Sequence, residues 1–277
     1  MSSTDVPSAE TTARPLPPRA LTVASSDSGG GAGIQADLKA FARCGVHGTS
    51  AIVALTAQNT TGVSAIHECP PSFVVAQLQA VLDDLPPAAI KTGMLFSAPI
   101  IEAVADVLAD TGIPLVIDPV MMASSGARLL REDAVTALVH RLFPLARVIT
   151  PNLMEAQALT GLATEDRAEL AEALVALGAP AALVTGGHGE LAVDHLYDGV
   201  RHHPVLAQRH PVAATHGAGC TQSAALAAFL AHGLPLPRAV ELASQVASEA
   251  VRTGLAGLGA GDGPVDVLDV RSVPLPS

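Results

Sequence analysis

ALTVASSDSGGGAGIQADLKAFARCGVHGTSAIVALTA, residues 20–57, reads as strand, glycine-rich turn, helix and second strand. The runs at 20–25 and 49–57 are short, apolar and bounded by Gly and Asp, as buried strands are. Between them Ile34, Leu38, Phe41 and Ala42 recur at i, i+4, i+7 and i+8, one buried stripe of a helix with Asp37 and Lys39 off it. A β-α-β unit with a helical crossover predicts parallel strands under a helical cover.

The pattern continues along the chain. Helical periods at 72–85, 98–110, 134–143 and 165–178 alternate with strand-like runs at 88–93, 113–119, 146–151 and 181–187. The segments 191–197 and 200–207 predict a β-hairpin, and two Ala-rich helices follow at 219–232 and 236–253. The fold class is therefore α/β with a predominantly parallel central sheet. One domain over 20–270 is expected, with a flexible Pro-rich leader at 1–19 and a tail at 271–277.

Composition narrows the function. Of 277 residues 49% are apolar and 15% charged, enough for a large core. The net charge of −11, with no long basic run, argues against a nucleic-acid partner. It leaves room for an anionic nucleotide held by backbone N–H groups and a divalent cation. Neither a signal peptide nor a membrane span is read, and the odd set Cys44, Cys69 and Cys220 fits a reducing, cytoplasmic setting.

In a sheet of this kind ligands bind beyond the carboxyl ends of the strands. The motifs DSGGGAG, TAQNT, KTGM, DPVM, TPNLMEA, TGGHG and THGAGC all fall there. In Thr215-His216-Gly217-Ala218-Gly219-Cys220-Thr221, which opens an apolar helix, the N–H groups of Ala218, Gly219 and Cys220 are expected to form an anion hole for a transferring phosphoryl group. Cys220 at a helix start is expected to have a depressed pKa and to take up a hydroxyl proton. The plainer readings are a Gly-rich turn capped by Thr221 and an inert buried thiol.

Asn152 and Glu155, at i and i+3 after Pro151, point two oxygens the same way and suit Mg²⁺ held through water, or else simply cap a helix. Asp118 adds a carboxylate at the same edge, or initiates a turn. Gln58 and Asn59 carry amides suited to a heteroaromatic edge or to a turn cap. Asp27 to Gly33 matches neither G-x-G-x-x-G nor a P-loop, so it reads as a substrate-side loop. H-E-x-x-H and G-x-S-x-G are both lacking, which disfavours zinc and serine hydrolases.

In this order SDSGGGAGIQADLK, ALTAQNT, KTGM, DPVM, TPNLMEA, GGH and HGAGCT resemble the hydroxymethylpyrimidine/phosphomethylpyrimidine kinases of thiamine biosynthesis, from about residue 20 to about 265. The resemblance implies a ribokinase-like three-layer α/β/α sandwich, ATP with Mg²⁺, and a homodimer. It implies that Ser25, Asp37, Gln58, Met94 and Val120 line a pyrimidine pocket and that Thr185, Gly187 and Thr215 lie on the ATP side. Gly217, Ala218, Gly219 and Cys220 are then the catalytic turn, and Asn152, Glu155 and Asp118 the metal side. The sequence departs from the family at Ser25, Thr185 and Ala218, where Gly, Lys and Thr are usual. The alternatives are a pyridoxal kinase of the same fold and a catalytically weak pyrimidine- or nucleotide-binding protein.

Overall fold

The computed structural model describes residues 15–122, 130–186, 193–206, 208, 210–212 and 214–273. The opening unit is β1 (Arg19–Asp27), α1 (Gly33–Arg43) and β2 (His47–Asn59), with β1 and β2 parallel. Then come β3 (Gly62–Glu68), α2 (Pro71–Asp84), β4 (Ala89–Thr92), α3 (Ala98–Leu108) and β5 (Leu115–Ile117). The chain continues through α4 (Glu132–Ala137), β6 (Val148–Ile149), α5 (Leu153–Thr160), α6 (Arg167–Ala176) and β7 (Ala182–Val184). It ends with the hairpin β8 (Val193–Tyr197) and β9 (His202–Leu206), then α7 (Ala218–Ala231) and α8 (Leu236–Arg252).

All nine strands form one sheet in the order β3-β2-β1-β4-β5-β6-β7-β8-β9. The central pairings from β2 to β7 are parallel, and β3, β8 and β9 are antiparallel additions at the two ends. Side chains alternate across the sheet with the period of two that strands impose. Leu21, Val23, Ile90, Ile117 and Ile149 pack under α2 to α6, whereas Ala20, Ala89, Val116 and Val148 pack under α1, α7 and α8. The three-layer α/β sandwich expected above is what the chain forms.

Local departures have physical causes. The strand β3 was not foreseen, because GVSAIHE is short and alternates weakly; it pairs with β2 alone and closes one end of the sheet. The helix expected at 134–143 is α helix only as far as Ala137, then a π turn over Leu138–Leu142 and a 3-10 turn over Phe143–Leu145. Pro144 lacks the N–H that a continuing helix needs. On α1 the buried residues are Ile34, Ala36, Asp37, Ala40 and Phe41, while Ala42 is exposed. The expected stripe is thus rotated, and it carries Asp37 inward.

Candidate active site

A cleft opens at the carboxyl ends of the parallel strands. Its wall draws on the ends of β1, β2, β4, β5, β6 and β7 and the start of α7. Ser25, Gln58, Met94 and Val120, expected in a pyrimidine pocket, line this cleft. Ser25, almost fully buried, turns its hydroxyl toward the Met94 sulphur at 3.7 Å. At Ser25 the β1–β2 pairing shifts register, Ala24 opposing Ile52 and Ser26 opposing Leu55, so that β2 carries one extra residue there. Gln58 and Asn59 part company: Gln58 reaches the cleft, whereas the Asn59 carboxamide oxygen accepts from the Thr61 and Gly62 N–H groups and caps the β2–β3 turn.

Asp37 does not line the cleft. Facing the sheet from α1, it is wholly buried, accepts from the Thr22 hydroxyl at 2.6 Å, and has both oxygens 2.9 Å from the Lys91 ammonium. Lys91, also wholly buried, is the member of that pair that reaches the cleft, with Asp118 4.0 Å away. Burial opposes its charge, but Asp37, Cys220 and Asp118 outweigh burial and hold Lys91 protonated, above its ordinary value. A Cβ at Gly93 would lie 2.8 Å from that ammonium, so only glycine leaves it room.

At the other wall, α7 starts behind Gly217, whose φ of 85° is in the left-handed region that favours glycine. The Ala218 N–H is not free for a ligand, because it donates to the Thr215 carbonyl at 3.0 Å. Gly219 and Cys220 occupy the next two helical positions, where N–H groups have no acceptor within a helix. The expected anion hole thus narrows to two donors. Thr215 lines the cleft with its hydroxyl donated to Asp262, and Thr185 lines it with its N–H on the Pro151 carbonyl. Gly187 lies outside the described residues.

The pKa expected for Cys220 is corrected. Burial pushes the thiol up to about 12, and Asp118 and Asp37 add to that. Lys91 and the nearby Gly33 N–H lower it by less. The helix start does not compensate for loss of water.

Asn152 and Glu155 form a full capping box on α5: the Asn152 side chain accepts from the Glu155 N–H at 2.9 Å, and the Glu155 carboxylate accepts from the Asn152 N–H at 3.0 Å. The capping reading is realised, yet both residues also line the cleft. Burial and the neighbouring Asp118 charge push Glu155 up to about 8, against the Asn152 and Met121 N–H groups. Ser223 holds Asp118 from α7 at 2.9 Å. Among the described residues no three His, Cys, Asp or Glu side chains form a closed metal cage. Two neighbouring buried carboxylates that repel one another do suit Mg²⁺, which keeps water and binds phosphate oxygens alongside one or two carboxylates.

Sequence reasoning passed over Asp27, Lys91, Thr150 and His216, all of which line the cleft. All four stand inside motifs already singled out, DSGGGAG, KTGM, TPNLMEA and THGAGC. Strand-end position was the available signal.

Comparison with known proteins agrees with this geometry. The family model described as phosphomethylpyrimidine kinase matches residues 27–266. The hydroxymethylpyrimidine/phosphomethylpyrimidine kinase of Synechococcus elongatus is 48% identical over 90% of this chain and 96% of its own. Among solved structures, the pyridoxal kinase of Bacillus subtilis in its ADP complex superposes with a TM-score of 0.84 at 37% identity, covering 92% of this chain and 99% of that one. The phosphomethylpyrimidine kinase of Clostridium difficile superposes with a TM-score of 0.75 at 39% identity, covering 84% and 99%.

Proposed function

The chain belongs to the phosphomethylpyrimidine kinase family, and on that premise we propose that it phosphorylates 4-amino-5-hydroxymethyl-2-methylpyrimidine, its monophosphate, or both, with ATP, in thiamine diphosphate biosynthesis. The observation that carries this is one cleft holding both halves of the reaction. Ser25, Gln58, Met94 and Val120 offer a small, partly apolar pocket with an amide, suited to an aminopyrimidine ring. Gly219 and Cys220 at the start of α7 offer N–H groups and the positive helix end to the γ-phosphate.

In-line transfer forms a bond from the substrate oxygen to the γ-phosphorus and breaks the bond from that phosphorus to the β-bridging oxygen, releasing ADP. The transition state asks mainly for alignment and charge neutralisation. Lys91 supplies fixed positive charge beneath the cleft. Asp118 and Glu155, with Asn152 beside them, would hold Mg²⁺, which neutralises charge on the phosphate oxygens. Cys220 is the proposed acceptor of the hydroxyl proton, and its raised pKa confines that role to the thiolate fraction. Thr185 and Thr215 are proposed to border the nucleotide phosphates.

The experiment is a product assay with purified protein, ATP and Mg²⁺, offering the pyrimidine alcohol, its monophosphate and pyridoxal in parallel. Turnover of the first two supports the reading. Exclusive turnover of pyridoxal, the reading favoured by the Bacillus subtilis superposition, would replace it. No ATP consumption with any acceptor would leave only binding. The single domain over 20–270, a cytoplasmic site and a homodimer belong to the same proposal. Its supports are three unpaired cysteines and, among the described residues, no helix long and apolar enough to cross a membrane. Sedimentation at twice 27.9 kDa tests the dimer.

A further inference from the structure

The turn after β1 and the turn before α7 are built into one another. The Asp27 carboxylate organises the first: Oδ1 accepts from the Gly29 N–H at 2.8 Å, and Oδ2 accepts from Gly31 at 3.1 Å and Ala32 at 2.8 Å. The same Oδ2 lies 3.2 Å from Nε2 of His216, the residue before Gly217. Asp27 is 3% exposed and the His216 side chain 12%, so water competes little for this contact. Burial opposes the Asp27 charge, yet the His216 ring and the loop N–H groups hold its pKa below the usual carboxylate value.

Two glycines permit the close approach. A Cβ at Gly31 would collide with the His216 ring, and a Cβ at Gly217 would collide with the Gly31 carbonyl. The His216 backbone is fixed from a third side, since its N–H donates to Gly263 and its carbonyl accepts from Val265. The imidazole therefore hangs from a held backbone and grips the loop through Asp27. Beyond it, Gly33 from the first turn and Cys220 from the second both line the cleft at the proposed reacting end.

From this geometry we infer that Asp27 and His216 are a positioning pair for phosphoryl transfer, setting the start of α7 against the substrate-side loop. The inference rests on the proposed reading of that helix start as the phosphate cradle. The pair acts through backbone, so its loss should appear in alignment, and a displacement of about 1 Å at a reacting centre costs on the order of 10²-fold in rate. Ground-state binding of the pyrimidine should change much less, because Ser25, Met94 and Val120 lie outside both turns and Gln58 alone is tied to the loop, through Ser28.

The test uses the full chain with ATP, Mg²⁺ and the pyrimidine alcohol, or pyridoxal if that is the acceptor consumed. His216→Ala is expected to lower kcat by about 10²-fold while KM for the acceptor stays within about threefold. His216→Gln, whose amide nitrogen can reach the same carboxylate, should recover to within about tenfold of wild type, and His216→Asn, too short to reach, should not. Asp27→Asn combined with His216→Ala should be no slower than the slower single variant, as members of one device behave. Gln performing no better than Asn, a kcat for His216→Ala within about twofold of wild type, or losses that multiply in the double variant would overturn the pair. Should the Ala variant fail to fold, the Gln and Asn comparison still decides. Wild-type turnover tests the proposed reaction itself, whereas the ratio of variant to wild type tests only the pair.

Discussion

Lys91 and Asp37 face each other in the dry interior, the ammonium 2.9 Å from both carboxylate oxygens and neither side chain open to solvent. Removing one partner strands a buried charge, so Lys91→Met should cost about 3–5 kcal/mol of unfolding free energy. Lys91→Met with Asp37→Leu should recover much of that, because two apolar side chains strand nothing. The folded pKa of Lys91 lies above its unfolded value, so its contribution is complete below the unfolded value and fades only as pH rises through the folded one. Urea unfolding of the single and double variants measures both changes.

Glu155→Gln should raise the Mg²⁺ concentration needed for half-maximal rate and lower kcat, since the amide, unlike the carboxyl beside Asp118, has no proton to give up to a cation. The amide oxygen can still accept from the Asn152 N–H and keep the α5 cap, while the Met121 N–H loses its acceptor, so the melting temperature should fall only slightly. Activity titrated with Mg²⁺ and a melt on the same sample separate the roles. An unchanged Mg²⁺ requirement would leave Glu155 a capping residue alone.

Gln58→Leu should weaken binding of the pyrimidine alcohol by about 1–3 kcal/mol, because the polar edge of the ring would lose its amide partner in the cleft. Calorimetry without ATP measures it directly. Equal affinity would move Gln58 out of the substrate pocket.

For Cys220 the pH dependence has a definite sign. A thiol pushed up to about 12 is almost wholly protonated at neutral pH, and its thiolate fraction grows about tenfold per unit as pH rises. If that thiolate takes the substrate proton, kcat should still be climbing above pH ~8.5, the value at which an ordinary thiol would level off. Cys220→Ala should lose the limb and about 10²- to 10⁴-fold in kcat. Superimposable profiles in both proteins would mean that the backbone donors and charge carry the reaction and the sulphur only packs.

The alternation of strand and helix was legible because burial imposes periods of two and 3.6, and the strand-end rule gathered most of the site from motifs scattered over the chain. What escaped depended on partners distant in sequence. Nothing near Asp37 announces Lys91, 54 positions away, so a charged residue on α1 was read as lying off the buried stripe. Cys220 was misjudged for a related reason. Its helix start is visible in sequence, but the desolvation that decides its pKa comes from layers packed around it. The Ala218 N–H was lost to a local turn, a matter of dihedral angle at Gly217 that residue names alone do not settle.

The contact between Asp27 and His216 spans 189 positions of chain. Loop closure over such a span is slow compared with forming a helix or pairing adjacent strands. During synthesis β1 and its turn leave the ribosome long before α7 exists, and the early strands can pair while the turn lacks its counterpart. The cleft is consequently among the last features to be completed, because a chain stopped short of residue 216 lacks the wall that α7 supplies.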